Sequence, residues 1–144
     1  MYGGIVRSKH RGPILIADDD GATRDGLAEF LTELGYRVVP ARDGQEAMDF
    51  LLTGVTPILL MIDICMPNLA GDELLKYVHT DPVLRFVPVL VVTGSPERVG
   101  RTVADAIITK PVNLSSLLTH VRRLTGGRRR KTTQADATRP PPEA

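Results

Sequence analysis

The sequence predicts a parallel α/β sheet. Short apolar runs alternate along the chain with segments of helical periodicity, and the residues able to do chemistry fall directly after those runs. The length agrees, since 144 residues hold one domain with some chain to spare.

Each element follows from its local pattern. "PILIA" (13–17) is a short apolar run, fit for a strand buried on both faces. Leu27, Phe30, Leu31 and Leu34 then recur at helical spacing, and Gly35 supplies the stop. "YRVVP" (36–40) is rich in β-formers, and Gly44 to Leu52 reads as a helix closed by Gly54. "ILLMI" (58–62) is a second buried strand, followed by a loop through Pro67 and Gly71. Asp72 is expected to cap a short helix running to about His79. "PVLVV" (88–92) and the brief "AII" (106–108) complete the strands. Leu114, Leu117, Leu118, Val121 and Leu124 mark a last helix, entered through Asn113. Five strands alternating with helices imply right-handed crossovers.

Composition excludes several classes. With no Trp and only three Phe and three Tyr, the core must be aliphatic. The longest apolar runs are far too short to cross a bilayer, and "MYGGIVRSKHRG" lacks the apolar stretch of a secretory signal. A cytoplasmic protein without membrane contact is expected, and the single Cys65 excludes an internal disulfide. The net charge of +1 conceals a division. Residues 12–124 hold fifteen acidic against ten basic side chains, whereas the two ends hold eight basic and two acidic. This predicts a flexible basic arm over 1–12, a folded domain over 13–124 and a disordered basic, Pro-rich tail over 125–144. Nucleic-acid contact is not expected of the body. Only the basic run Arg128 to Lys131 in the tail offers it, and a solvated tail explains that run as well.

The chemistry lies at the strand ends. Asp18, Asp19 and Asp20 end the first strand, Asp63 the third and Thr93 the fourth, and Lys110 follows the fifth. In a parallel sheet these ends share one edge, where ligands bind. Carboxylates so close repel one another, and a cation relieves them. Asp18, Asp19 and Asp63 carry −3 and Lys110 returns +1, so a divalent ion brings the group to neutrality. Oxygen-only ligands suit Mg²⁺. Asp20 is assigned instead to capping the first helix.

"ILIADDDGATR", "ILLMIDICMPNLAGDELL", "PVLVVTG" and "TKP" together resemble the four motifs of the receiver domain of two-component response regulators, over residues 13 to 124. The resemblance implies a flavodoxin-like, doubly wound five-stranded sheet. It implies that Asp63 accepts a phosphoryl group from a histidine kinase or a histidine phosphotransfer protein. Thr93 would be the switch hydroxyl and Lys110 the cation that contacts the phosphoryl group. Asp19, Asp63 and the backbone carbonyl of Cys65 would bind Mg²⁺ directly, and Asp18 through water. Pro111 after Lys110 resembles the family's cis Lys–Pro bond. Gly94 would leave the phosphoryl group reachable, and Cys65 and Ser95 occupy positions that influence the hydrolytic water. With residues past 124 read as tail, a stand-alone receiver is expected, signalling by contact with a downstream protein that the sequence does not name.

Rival readings fare less well. A haloacid-dehalogenase-type hydrolase needs a second Asp where Cys65 stands, and no GxGxxG follows the first strand for a dinucleotide. Nothing points to a turnover enzyme acting on an external substrate. A receiver-like docking module, whose output does not depend mainly on phosphorylation, stays open because the output side departs from the family. Receivers carry Tyr or Phe three residues before the Lys, and this chain has Ile107, which has no ring to turn inward. Only residues 94–109 separate Thr93 from Lys110, with Pro96 and Gly100 among them, so a shortened or irregular fourth helix is expected.

Overall fold

The computed structural model describes residues 12–100 and 104–126. The expectations for the basic arm, save Gly12, and for the tail from residue 127 lie outside the described residues. Five strands, β1 (Ile14–Ala17), β2 (Val38–Ala41), β3 (Leu59–Ile62), β4 (Val89–Thr93) and β5 (Ala106–Thr109), form one parallel sheet in the order β2-β1-β3-β4-β5. The helices are α1 (Gly21–Glu33), α2 (Gly44–Leu51), α3 (Gly71–Thr80) and α4 (Leu114–Thr125). This is the flavodoxin-like, doubly wound arrangement.

The alternation of side chains along each strand divides the core in two. Leu15, Ala17, Leu60, Ile62, Val89 and Val91 face α2 and α3, meeting Ala47, Leu51, Leu74, Leu75 and Val78. Ile14, Ile16, Leu59, Met61, Leu90, Val92 and Ile108 face the other way, against Leu27 and Leu31 of α1 and Leu117, Val121 and Leu124 of α4. β1, β3 and β4 are buried along their whole length, which is why they read as unbroken apolar runs. Pro40 is accommodated because β2 is an edge strand.

Helix entry shows where local signals succeed. Asn113 caps α4 by accepting the Ser116 N–H at 2.9 Å. Asp20 occupies the N-cap of α1, but its carboxylate takes the Thr23 hydroxyl at 2.6 Å, a bond that lowers its pKa. The expected cap of α3 is corrected: Ala70 is the N-cap and Asp72 sits inside the first turn. There its charge still favours the positive end of the helix dipole.

Between β4 and β5 the described chain holds a single 3₁₀ turn, Pro96–Arg98. Ile107, paired with Val91 across β4 and β5, is left 47% exposed, because no helix covers this face of β5 among the described residues.

Candidate functional site

The chain winds from β1 outward to β2, then returns past β1 to β3, so the sheet reverses its direction of growth between β1 and β3. Loops diverge at such a point and leave a crevice. Register places Ala17 beside Ile62, so the residues that follow, Asp18 and Asp63, emerge together. The Asp63 N–H donates to the Ala17 carbonyl at 3.0 Å, which fixes that adjacency. On the other side of β3, Thr93 ends β4 opposite Thr109, and the Lys110 N–H donates to the Thr93 carbonyl at 2.9 Å.

The side chains converge. Carboxylate oxygens of Asp18, Asp19 and Asp63 all lie within 4.8 Å of one another. The Lys110 ammonium donates to Asp18 at 2.9 Å and to Asp63 at 3.0 Å. The second oxygen of Asp63 accepts the Cys65 N–H at 3.1 Å, and that of Asp18 accepts the Asp20 N–H at 2.9 Å. Asp18 and Asp63 are nearly inaccessible, while Asp19 is exposed. The Thr93 hydroxyl is fully buried and accepts the Ser95 N–H at 3.1 Å. Gly94 is exposed, Ser95 and Cys65 are half-buried, and the Lys110–Pro111 peptide bond is cis. Ile107 belongs to the open sheet face of β5 rather than to this cluster.

Electrostatics follow from burial. Burial pushes the Asp18 carboxyl above the usual carboxylate range, against the lowering effect of the Asp20 N–H and of Lys110. Burial also works against the Lys110 ammonium, but its bonds to Asp18 and Asp63 prevail and hold its pKa above the ordinary lysine value. Three carboxylates against one ammonium leave a net negative group with only oxygen donors. That donor set fits a small hard divalent cation.

The neighbouring loop carries features that motif reading passed over. Asn68 adopts a left-handed backbone (φ 66°) and donates its side-chain amide to the Asp43 carboxylate. Asp43 also caps α2 by accepting the Glu46 N–H at 2.9 Å, and these two donors lower its pKa. Glu46 in turn reaches back to the Arg42 N–H at 2.7 Å. The signal was present, since Asp followed three residues later by Glu marks a helix start. Gly71 is required by close approach: a Cβ there would lie 2.7 Å from the Ile64 Cα. A Cβ on Gly44 would overlap the Leu69 carbonyl. Arg24, one turn into α1 and 15% exposed, donates to the Asp18 carbonyl at 3.2 Å and pairs with Asp25. Its place beside the acidic loop follows from helical spacing after Asp20.

A cavity of about 470 Å³ opens beside the carboxylates, lined by Asp19, Ile64, Cys65 and Met66 and reached by Asp72 and Arg98.

The family model of the response regulator receiver domain matches residues 14–122. The chain belongs to this family. It is a receiver domain of two-component signalling. It is 37% identical over 117 residues to response regulator RR06 of Streptococcus pneumoniae, a match covering 77% of this chain and 52% of that protein, so this chain spans about half of that relative's length. It is 28% identical to the polar-differentiation response regulator DivK of Brucella anthropi, over 78% of this chain and 95% of the relative. Among solved structures, the signal receiver domain of a signal transduction histidine kinase from Syntrophus aciditrophicus superposes with a TM-score of 0.73 at 33% identity, covering 87% of this chain and 99% of that one. Response regulator TrrA of Thermotoga maritima, solved in complex with Mg²⁺–BeF, gives a TM-score of 0.70 at 28% identity over 79% of this receiver and 99% of its own chain. Receiver domains bind Mg²⁺ in an acidic pocket and interact with histidine kinases and phosphotransfer proteins. They are signalling modules that have autophosphatase activity. Among the described residues, no helix is long and apolar enough to cross a membrane.

Proposed function

We propose that this receiver is a phosphoacceptor whose acceptor is Asp63, loaded from the phosphohistidine of a histidine kinase or a histidine phosphotransfer protein. The observation that carries this reading is the place of Asp63 directly after the central strand β3. Two carboxylates stand on its β1 side, the Thr93 hydroxyl lies on its β4 side, and the next two residues, Ile64 and Cys65, line a cavity shared with Asp19. Asp18 has the lysine and a backbone donor too, but it has no such hydroxyl on its far side.

In the step itself, a carboxylate oxygen of Asp63 bonds to phosphorus as the phosphorus–nitrogen bond of the donor breaks. The electron pair leaves on the imidazole nitrogen. Such a transfer needs alignment and cancellation of charge more than covalent help. The Cys65 N–H and the Lys110 ammonium hold the acceptor carboxylate in place. Lys110 then stays close enough to follow charge onto the phosphoryl oxygens, and Thr93 offers a hydroxyl to the same group. Asp18, Asp19, Asp63 and the Cys65 carbonyl would hold Mg²⁺. When bound, Mg²⁺ supplies the positive charge that offsets the clustered carboxylates and the incoming phosphoryl oxygens.

Gly94 leaves the approach open, since nothing lies within 4 Å of where its Cβ would stand. Neither Cys65 nor Ser95 is an amide or carboxylate able to align the hydrolytic water strongly, so self-dephosphorylation is slow to moderate. The output is protein–protein contact with a downstream partner, in the cytoplasm.

The test is labelling by acetyl phosphate, read by mass spectrometry. Wild-type protein gains one phosphoryl group only when Mg²⁺ is supplied, and Asp63→Asn gains none. Undiminished labelling of Asp63→Asn would overturn the assignment, and wild-type protein that gains no phosphoryl group would leave the docking reading in its place.

A further inference from the structure

We propose that Arg98 joins Lys110 and Thr93 in binding the phosphoryl group once it stands on Asp63, and that the 3₁₀ turn carrying it is the element that reports phosphorylation. The inference rests on Asp63 being the acceptor.

The starting point is a missing part. A receiver that registers phosphorylation by swinging an aromatic ring needs that ring on β5, and this chain has Ile107, already 47% exposed on an uncovered sheet face. Something else must register a group that brings about two negative charges and three acceptor oxygens. Lys110 is already committed to two carboxylates. Arg98 is not. It lines the cavity formed by Asp19 and by Ile64 and Cys65, the two residues that follow Asp63. Among the described residues its guanidinium has no hydrogen bond and no ion pair, although Asp19 and Asp72 line the same cavity.

The turn is built to hold it there. Pro96 stands at the first turn position, where its fixed φ suits helical geometry. The Arg98 N–H donates to the Ser95 carbonyl at 2.9 Å and the Val99 N–H to the Pro96 carbonyl at 3.1 Å. Val99, next in sequence, is 4% exposed and packs into the core beneath α2 and α3. A buried anchor therefore sits beside an exposed cation, unpaired among the described residues, on the cavity that Asp19, Ile64 and Cys65 line. Guanidinium presents its donors in a planar fork that matches phosphoryl oxygens bidentately, which an ammonium cannot do. New pairs between arginine and phosphate are an established way of ordering a segment. Ser95 couples this turn to Thr93, because its N–H is bonded to the Thr93 hydroxyl at 3.1 Å. A Thr93 hydroxyl drawn toward the phosphoryl group and an Arg98 drawn to the same group would move the two ends of one short segment together.

The experiment uses the full chain with Mg²⁺ and beryllofluoride as the phosphoryl mimic, followed by nitrogen-15 NMR. The Arg98 Nε–H resonance is assigned by its loss in Arg98→Lys. In the wild type it shifts on addition of beryllofluoride, and the amides of residues 97–100 shift with it. In Arg98→Gln, a change at an exposed side chain, the apparent affinity for beryllofluoride falls about tenfold, the scale of one charge-assisted hydrogen bond. An Arg98 Nε–H that stays in place while the Asp63 and Thr93 amides move would overturn the proposal, as would undiminished affinity in Arg98→Gln. Acetyl phosphate labelling of Asp63→Asn separates the two levels. Retained labelling overturns the acceptor assignment and this inference with it. Lost labelling with a silent Arg98 overturns this inference alone.

Discussion

The loop after β3 and the connection after β4 leave neighbouring points of one sheet edge and are built in opposite ways. The first is pinned from several sides: Asp63 by Lys110 and Cys65, Asn68 by Asp43, Gly71 by the Ile64 backbone, Leu69 by the absent side chain of Gly44. Among the described residues, the second holds one 3₁₀ turn and a single buried anchor, Val99, and leaves a face of β5 bare. The contrast separates two tasks. Chemistry at an acceptor tolerates little positional error. Passing a signal onward requires a segment that can adopt a second arrangement, and loosely packed segments supply that.

The contrast can be broken most forcefully on β5 itself. Ile108 is buried against α4 and Ile107 is not. Ile108→Ala should cost about 2–5 kcal/mol of stability in urea unfolding. Ile107→Ala should cost less than about 1 kcal/mol, since it leaves little cavity behind. Similar losses at both positions would mean that the supposedly bare face is covered in solution. A smaller effect is expected from two glycines. Gly44→Ala forces a Cβ into the Leu69 carbonyl and should cost about 1–3 kcal/mol. Gly94→Ala enters open space and should change stability by no more than about 0.5 kcal/mol. Thermal midpoints of the two variants give the answer directly.

The smallest effect concerns pH. His79 on α3 is partly buried, and burial lowers its pKa below the ordinary 6.5 despite the opposing charge of Asp105. In the unfolded chain it takes up a proton near pH 6.5, before the folded protein does. Stability attached to the neutral ring is therefore complete above that value and is lost as pH falls through it toward the lowered one. His79→Gln should show a shallower loss of urea midpoint between pH 7.5 and 5 than the wild type. An identical slope would show that burial on α3 does not depress the pKa of this ring.

Much of this was legible from the chain. Strands buried on both faces leave unbroken apolar runs, so β1, β3 and β4 were plain, and a parallel sheet brings residues that follow such runs to one edge. Asp18, Asp19, Asp63 and Lys110 could be grouped before any distance was known. What stayed hidden depends on approach between segments distant in sequence. Nothing local to Asn68 announces a bond to Asp43, twenty-five residues away. Nothing in the sequence around Arg98 shows that it lines one cavity with Asp19, Ile64 and Cys65. The α3 cap failed for a different reason: Asp72 suits a helix start and Ala70 does not, yet the chain enters the helix where Gly71 packs tightly on Ile64.

The bond between Tyr36 and Thr125 has a practical side. Thr125 gives its own hydroxyl proton to the Val121 carbonyl at 2.8 Å, so the Tyr36 hydroxyl is the donor in their 3.2 Å contact. Tyr36 stands just ahead of β2, at the edge where the strands begin, and α4 therefore ends there. Twelve helical residues carry the chain about 18 Å from the Asn113 cap, which lies at the carboxylate end, to that opposite pole. Cargo fused after residue 126 starts from the far side of the molecule. An affinity handle, a fluorophore or a surface tether placed there leaves the acceptor groove open to a docking donor, and immobilisation for binding measurements should use that end.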